Sequence, residues 1–295
     1  MLRLNHEQRD SSSLPLHDHE QSYGSAPHSQ SKLWAEWLLP QRRLFLTLLP
    51  ALVCFFLLLL VWQWYATQPE VDTQLLPSPL FVWTQLVLHR DLLWSHMLVT
   101  LYETAVGFTM ALVAGIVFAT LMDFSSWLRR GLYPLLVMSQ TIPFVAIAPL
   151  LLLWFGFGLV SKIILITLVC FFPITVALTD GLGATDTEAL KLYRTFGAGP
   201  VRIFWSLRLP GAVPTLFSGI RIAVSYSIVS AIFSEYIGAT AGLGFYMELN
   251  QRSYSTAGVM ATVAVIALLT ASLFVLTGLV ERLVIPWYYL HRRST

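Results

Sequence analysis

The sequence predicts an all-α, polytopic membrane protein with six transmembrane helices, and three observations carry that prediction. Of 295 residues, 56% are hydrophobic and only 12% are charged, with a mean hydropathy of +0.67. A soluble domain carries roughly twice that charge. Six stretches hold about 20 mostly apolar residues each, enough to cross a bilayer core as a helix. Lys and Arg fall on alternate connections between those stretches, which sets both termini on the cytoplasmic side. The net charge of +2 gives no reason to expect a nucleic-acid partner. Cys54 and Cys170 lie inside apolar runs, where neither a disulfide nor a metal site is expected, so cysteine usage says nothing about redox compartment.

Residues 1–41 form a separate region, polar up to about Ser31. The stretch HEQRDSSSLPLHDHEQSYGSAPHSQS has too little apolar content to fold alone and is expected to be a disordered cytoplasmic tail. It holds His6, His17, His19 and His28, for which a solvated tail is a better reading than a metal site. It lacks the basic start, short apolar core and cleavage site of a signal peptide.

The first span is expected at Leu44–Tyr65 within residues 42–66, preceded by Arg42-Arg43 and ended by Trp62 and Trp64. Residues 67–295 then form a core with five further spans. After Pro69, Pro77 and Pro79 comes an amphipathic piece around Trp83–Trp94. The remaining spans are expected at His96–Met122, Tyr133–Phe155, Ile163–Leu182, Pro214–Tyr236 and Gly258–Val280, with a polar loop containing Glu248 and Arg252 before the last. Arg42-Arg43, Arg129-Arg130, the Lys191–Arg208 group and the Arg282–Arg293 tail share one side; Arg90, Lys162 and Arg252 occupy the other. No internal repeat is evident, which disfavours the inverted-repeat carriers.

The longest polar interruption in the apolar part is Thr185–Pro210, TDTEALKLYRTFGAGPVRIFWSLRLP. Thr185 with Glu188 has the capping-box spacing that starts a helix. Gly197 suits a left-handed helix end, Gly199-Pro200 suits the first turn of a second helix, and Leu209-Pro210 is expected to stop it. The segment carries Glu188, Ala189, Lys191, Arg194 and Arg202 beside the bulky Val201, Phe204 and Trp205. Apolar bulk in an ordered helix pair suits a docking element better than a solvated loop.

Inside the spans, Thr100, Glu103, Thr104, Gly107, Ala111, Ala114 and Gly115 share one stripe, with Gly107, Ala111 and Gly115 at the small-xxx-small spacing of close helix packing. Glu103 is either a path residue or an interfacial acid. Pro143 and Pro149 in QTIPFVAIAPL are expected to kink the third span, with Gln140 and Thr141 meeting the freed backbone or lining a path. Gly219, Ala223, Tyr226, Ser227, Ser230 and Ser234 give the fifth span a small, polar face, read as interhelical hydrogen bonding or a hydrated pathway. Arg221 and Glu235, about 21 Å apart along that helix, cannot pair with each other. Arg221 is expected to snorkel, and Glu235 either serves the path or ties down the loop Ile237–Leu243.

Gly197, nine residues and Leu207-Arg208-Leu209-Pro210 resemble the coupling-loop signature of the membrane subunits of bacterial ABC importers. That pattern places Glu-Ala-Ala six residues before the Gly; here Lys191, Leu192 and Tyr193 stand there, and Glu188-Ala189 comes three residues early. LPSP at Leu76–Pro79, LLLWFGFGLVSK, LPGAVPTLFSGIRIA and SEYIGATAGLG extend the similarity from about Leu76 to Arg293. Together they look like the branch that handles sulfonates, taurine, nitrate and thiamine-precursor pyrimidines, with the fifth span and its following loop most similar to the pyrimidine members. The resemblance implies a type I ABC importer permease fold in the bacterial inner membrane. It also implies a homodimer of permeases on a cytosolic ATPase dimer, fed by an extracytoplasmic substrate-binding protein. The loop 185–210 would be the ATPase contact, including Gly197, Leu209 and Pro210, and the path would draw on Glu103, Gln140, Pro143, Tyr226, Ser230, Ser234 and Glu235.

No GxxxxGK phosphate loop occurs, so ATP belongs to another chain and this subunit is expected to bind no cofactor. His89, His96 and the few acids make no metal-ligand spacing. Two other classes compete: an ion-coupled carrier using Glu103 and Glu235, and a non-transporting scaffold. The first predicts uptake that collapses with the ion gradient, the second no uptake.

Overall fold

The computed structural model describes residues 49–286, so the expected tail, Arg42-Arg43, the start of the first span and the basic cluster His291–Arg293 lie outside the described residues. By internal contacts the chain divides after Leu58. Of the described residues, the first unit holds only the beginning of α1 (Leu49–Ala66); all other elements belong to the second.

These are α2 (Pro79–Leu88), α3 (Arg90–Phe124), α4 (Ser126–Ser139), α5 (Phe144–Phe155), α6 (Leu159–Gly183), α7 (Thr187–Thr195), α8 (Pro200–Ile203), α9 (Leu209–Gly238), α10 (Leu243–Arg252) and α11 (Thr256–Val284). Five helical stretches among the described residues are long and apolar enough to cross a membrane, or six if the bent pair α4 and α5 counts as one span. The expected amphipathic piece is divided at His89: Ser78 caps α2, and Trp94 already belongs to α3. The expected polar loop around Glu248 is instead the helix α10, with Glu248 and Arg252 paired one turn apart.

The core is built around α6, which lies between α3 and α9. The small-residue stripe of α3 lies against it. A methyl group on Gly107 would stand 2.7 Å from Ile166, and one on Gly115 would stand 2.8 Å from Ile174. On the other side Gly219 of α9 lies over the Pro173 carbonyl and Ala177, and the Cys170 thiol donates to the Ala223 carbonyl at 3.3 Å. Lipid supplies no hydrophobic drive between helices, so close backbone approach of this kind carries the packing. A second cluster joins Leu93, Ile228, Ile232, Leu243, Tyr246 and Leu269 of α3, α9, α10 and α11. A third packs Ala148 and Leu151 of α5 on Leu165 and Val169 of α6.

The third span departs from expectation. It is not a kinked helix but two helices meeting at 100° across Gln140–Pro143. Pro143, rather than Pro149, makes the break. Pro143 lacks a donor and holds the extended geometry that caps α5, whereas Pro149 is accommodated within α5.

Candidate functional site

At the end of the bundle where α6 gives way to α7, the polar segment folds as two short helices joined by a turn at Gly197. Its cap lies one residue later than the spacing suggested. Asp186, not Thr185, accepts from the backbone of Glu188 (2.9 Å), while the Thr185 hydroxyl donates to Leu182. Gly197 has φ +72 and Pro200 opens α8 after Gly199, as expected. Leu209-Pro210, however, does not stop the chain. Residues Phe204–Arg208 form a π turn in which the Leu209 amide bonds back five residues to Phe204, and α9 runs on without interruption. The widened turn relieves the clash between the proline ring and the carbonyl one turn back, so Leu209 stays helical. The segment is therefore rigidly continuous with a membrane-spanning helix.

The apolar residues of this segment divide into two sets. Phe204 is 4% exposed, packs on Phe124 with ring centroids 5.1 Å apart, and belongs to the core. Phe196, Val201 and Trp205 are 80%, 59% and 64% exposed. Glu188, Lys191, Arg194 and Arg202 are exposed beside them, and Ala189 is half-buried. Arg208 donates to Asp123 at the end of α3 (2.6 Å), tying the segment to a second spanning helix. In the sequence Arg208 stands out as part of the basic group and of the Leu207–Pro210 signature, but its Asp123 partner lies 85 residues away and leaves no local trace.

A cavity of about 580 Å³ opens beneath the α4–α5 break. Gln140, Pro143 and Tyr226, three of the expected path residues, line it together with Phe144, Phe172 and Asp180. Asp180 accepts a 2.6 Å hydrogen bond from the Tyr133 hydroxyl of α4. Glu103, Ser230, Ser234 and Glu235 do not line it. The hydroxyls of Ser227, Ser230 and Ser234 each donate to a carbonyl of their own helix, not to a neighbouring one.

The two acids are bound elsewhere, at the α10 end of the bundle. Glu103 is buried and accepts from the Lys162 ammonium at 2.6 Å. Lys162, counted above as a charge between spans, is thus inside the bundle. Glu235 is 0% exposed. It accepts from the Thr100 hydroxyl at 2.7 Å and, through its other oxygen, from the Gly244 amide at 2.7 Å. The Leu243 amide donates to Thr100 Oγ1 and the Gly242 amide to His96 Nδ1. Three successive backbone donors at the start of α10 are thereby satisfied by α3 and α9, which is how a buried helix end is closed. This realises the loop-tying alternative for Glu235. Gly242 and Gly244 make it possible: a methyl group on Gly242 would stand 2.2 Å from the Glu235 carboxyl carbon, and one on Gly244 2.2 Å from the Ile232 carbonyl oxygen. Arg221 does not simply snorkel; it pairs with Glu281 of α11 and lies over the Phe274 ring. Among the described residues no cluster of three or more His, Cys, Asp or Glu suits a metal.

Residues 111–288 match the family model described as binding-protein-dependent transport system inner membrane component. A probable ABC transporter permease protein of Haemophilus influenzae is 43% identical over 68% of this chain and 82% of its own length. The formylaminopyrimidine transport permease protein of Halalkalibacterium halodurans is 35% identical over 79% of this chain and 93% of its own. Relatives named for riboflavin, taurine, aliphatic sulfonates and nitrate match as well. Among solved structures, an inward-facing methionine ABC transporter shares the fold with a TM-score of 0.55 at 20% identity, covering 63% of this chain and 92% of that one.

Proposed function

The chain belongs to the binding-protein-dependent transport system inner membrane components, and from that premise we propose that it carries a pyrimidine precursor of thiamine, hydroxymethylpyrimidine or a close relative, into the cell. The coarser statement stands on family membership: it is a non-catalytic, multi-pass permease subunit of an ABC importer in the cytoplasmic membrane, and ATP is hydrolysed by a separate chain. The pyrimidine assignment draws on the likeness of the fifth span and its following loop, and on the formylaminopyrimidine relative. A taurine, sulfonate or nitrate importer of the same architecture is the second reading, favoured by the relatives with those names.

The observation that carries the mechanism is the unbroken run from the turn at Gly197 through the π turn into α9, with Phe196, Val201 and Trp205 exposed on it. Phe196 and Trp205 enter a groove on a cytosolic ATPase. Two permease copies sit on an ATPase dimer, and an extracytoplasmic protein delivers the solute to the α10 face. ATPase closure moves α7 and α8; continuity with α9 and the Arg208–Asp123 bond pass that movement to α9 and α3. Both termini lie in the cytoplasm. The basic residues Arg129, Arg130, Lys191, Arg194 and Arg202 at the α7 end support that orientation, the more so because Lys162 is buried and no longer counts against it. With Glu103 and Glu235 both held by partners, ion coupling through them has little to recommend it.

Proteoliposomes holding the permease, its ATPase and its binding protein test the reading. Uptake of labelled hydroxymethylpyrimidine should require internal or external ATP at the ATPase face and survive a protonophore. Uptake that ignores ATP and collapses with the proton gradient would overturn it.

A further inference from the structure

We infer that the cavity beneath the α4–α5 break is a solute station on the permease itself, built for an uncharged or cationic planar nitrogen heterocycle and hostile to anions. The inference deepens the importer reading and rests on it. The cavity, about 580 Å³, falls within the range of small-molecule sites. Phe144, Phe172 and Tyr226 supply flat apolar faces for a ring or a cation.

Of its polar side chains, Ser139 and Thr141 are spent on carbonyls of their own turn and Asp180 accepts from Tyr133, while three others are unspent. The Gln140 amide and the Tyr226 and Thr215 hydroxyls make no hydrogen bond to any described residue, although all three line a cavity within the spanning helices. Several other hydroxyls of the spans, those of Thr179, Ser227 and Ser234 among them, are spent on carbonyls of their own helix. An amide offers two donors and one acceptor side by side, the complement of an amino group next to a ring nitrogen.

The sign of the charge narrows the class. Asp180 is the one charged side chain of the lining, and neither Lys nor Arg lines the cavity. One Asp180 oxygen is engaged by Tyr133, and no described residue bonds the other. Arg129 rests on Gly183, most of a turn further along α6, and is not part of the lining. A sulfonate or nitrate entering this space would lose water, meet a carboxylate and find no cation to replace its hydration. An aminopyrimidine would meet an acceptor for its N–H groups. Rejection of the wrong charge is specificity by repulsion.

The test uses the permease–ATPase assembly in nanodiscs without the external protein, dialysed against labelled 4-aminopyrimidine, ethanesulfonate and nitrate. Wild type should retain the pyrimidine at least tenfold over either anion. Asp180→Lys should erase or reverse that preference, and Asp180→Asn, at constant shape, should narrow it several-fold. Tyr133→Phe removes the carboxylate's partner and keeps its charge, so it should leave the preference in place. Retention of the anions as well as the pyrimidine, retention of none of the three, or an unaltered preference in both Asp180 variants would overturn the inference. The same assembly with its binding protein in proteoliposomes separates the two claims. ATP-driven uptake together with an unselective cavity condemns the cavity alone, whereas gradient-driven uptake without ATP condemns the importer reading beneath it.

Discussion

Lys162 stands in the first turn of α6 with its ammonium on Glu103 of α3, both side chains almost wholly removed from solvent. The Glu103 oxygen not facing Lys162 has no partner among the described residues. Removing one member of a buried pair strands a charge and costs about 3–5 kcal/mol, whereas replacing both with apolar groups is often neutral. Lys162→Met should therefore lower the thermal midpoint of the purified protein sharply, and Lys162→Met with Glu103→Leu should recover most of it. Equal midpoints for the single variant and wild type would show that the pair contributes nothing. Gly242→Ala should be worse still, since its φ is +115 and the new methyl group meets the Glu235 carboxylate. Gly278→Ala, with open space around it, should leave the elution profile of the solubilised protein unchanged. At this scale the sequence spoke unevenly. An acid on the small-residue stripe of α3 was visible as something facing protein. Its lysine partner was not, because Lys162 lies at the edge of an apolar run and looks like a loop charge. Glu235 was legible as a candidate tether because it is an acid at the end of a span, just before a loop; its contact with Thr100 spans 135 residues and leaves no local trace.

The helix pairs obey the spacing of small residues. Gly107, Ala111 and Gly115 on α3 meet α6 as their four-residue repeat requires, which is the part of the fold a sequence declares most openly. Gly107→Val would press into Ile166, and it should reduce the yield of monodisperse protein far more than Gly131→Ala on α4, where a methyl group meets nothing. Prolines were less informative, because their effect depends on the turn they fall in. Pro143 breaks a span through 100°, while Pro149, Pro173 and Pro214 sit inside helices. Pro210 reads as a stop in the sequence but follows a π turn, a feature with no sequence marker here. The cavity was only half legible for the same reason. Gln140 and Pro143 announce the break, yet Asp180 and Phe172 join them only because α4 folds back over α6.

Across the whole molecule, two polar assemblies close opposite ends of the α3–α6–α9 core. At one end Glu235, Thr100 and His96 hold the start of α10; at the other Arg208 and Asp123 fasten the π turn to α3. Movement imposed on α7 and α8 thus has a stiff route into the spanning helices, and the exposed Phe196 and Trp205 are where a partner would impose it. Arg208→Ala should leave the partner bound but weaken the link to α3. The expected readout is ATP hydrolysis that continues while ATP-driven uptake falls several-fold; a parallel loss of both would place Arg208 in the docking surface instead.

The central claim is that the turn at Gly197 presents a docking surface for a cytosolic ATPase. Its most direct test is affinity purification of this chain in mild detergent, wild type beside Gly197→Val. Nothing stands within 4 Å of the missing side chain, so the valine acts through φ +72 alone, a strain of about 1–3 kcal/mol confined to the turn. The account predicts that a P-loop ATPase accompanies wild type and is lost from the variant while both insert in the membrane equally. A wild-type chain that purifies alone, or a variant that keeps the ATPase undiminished, would contradict it.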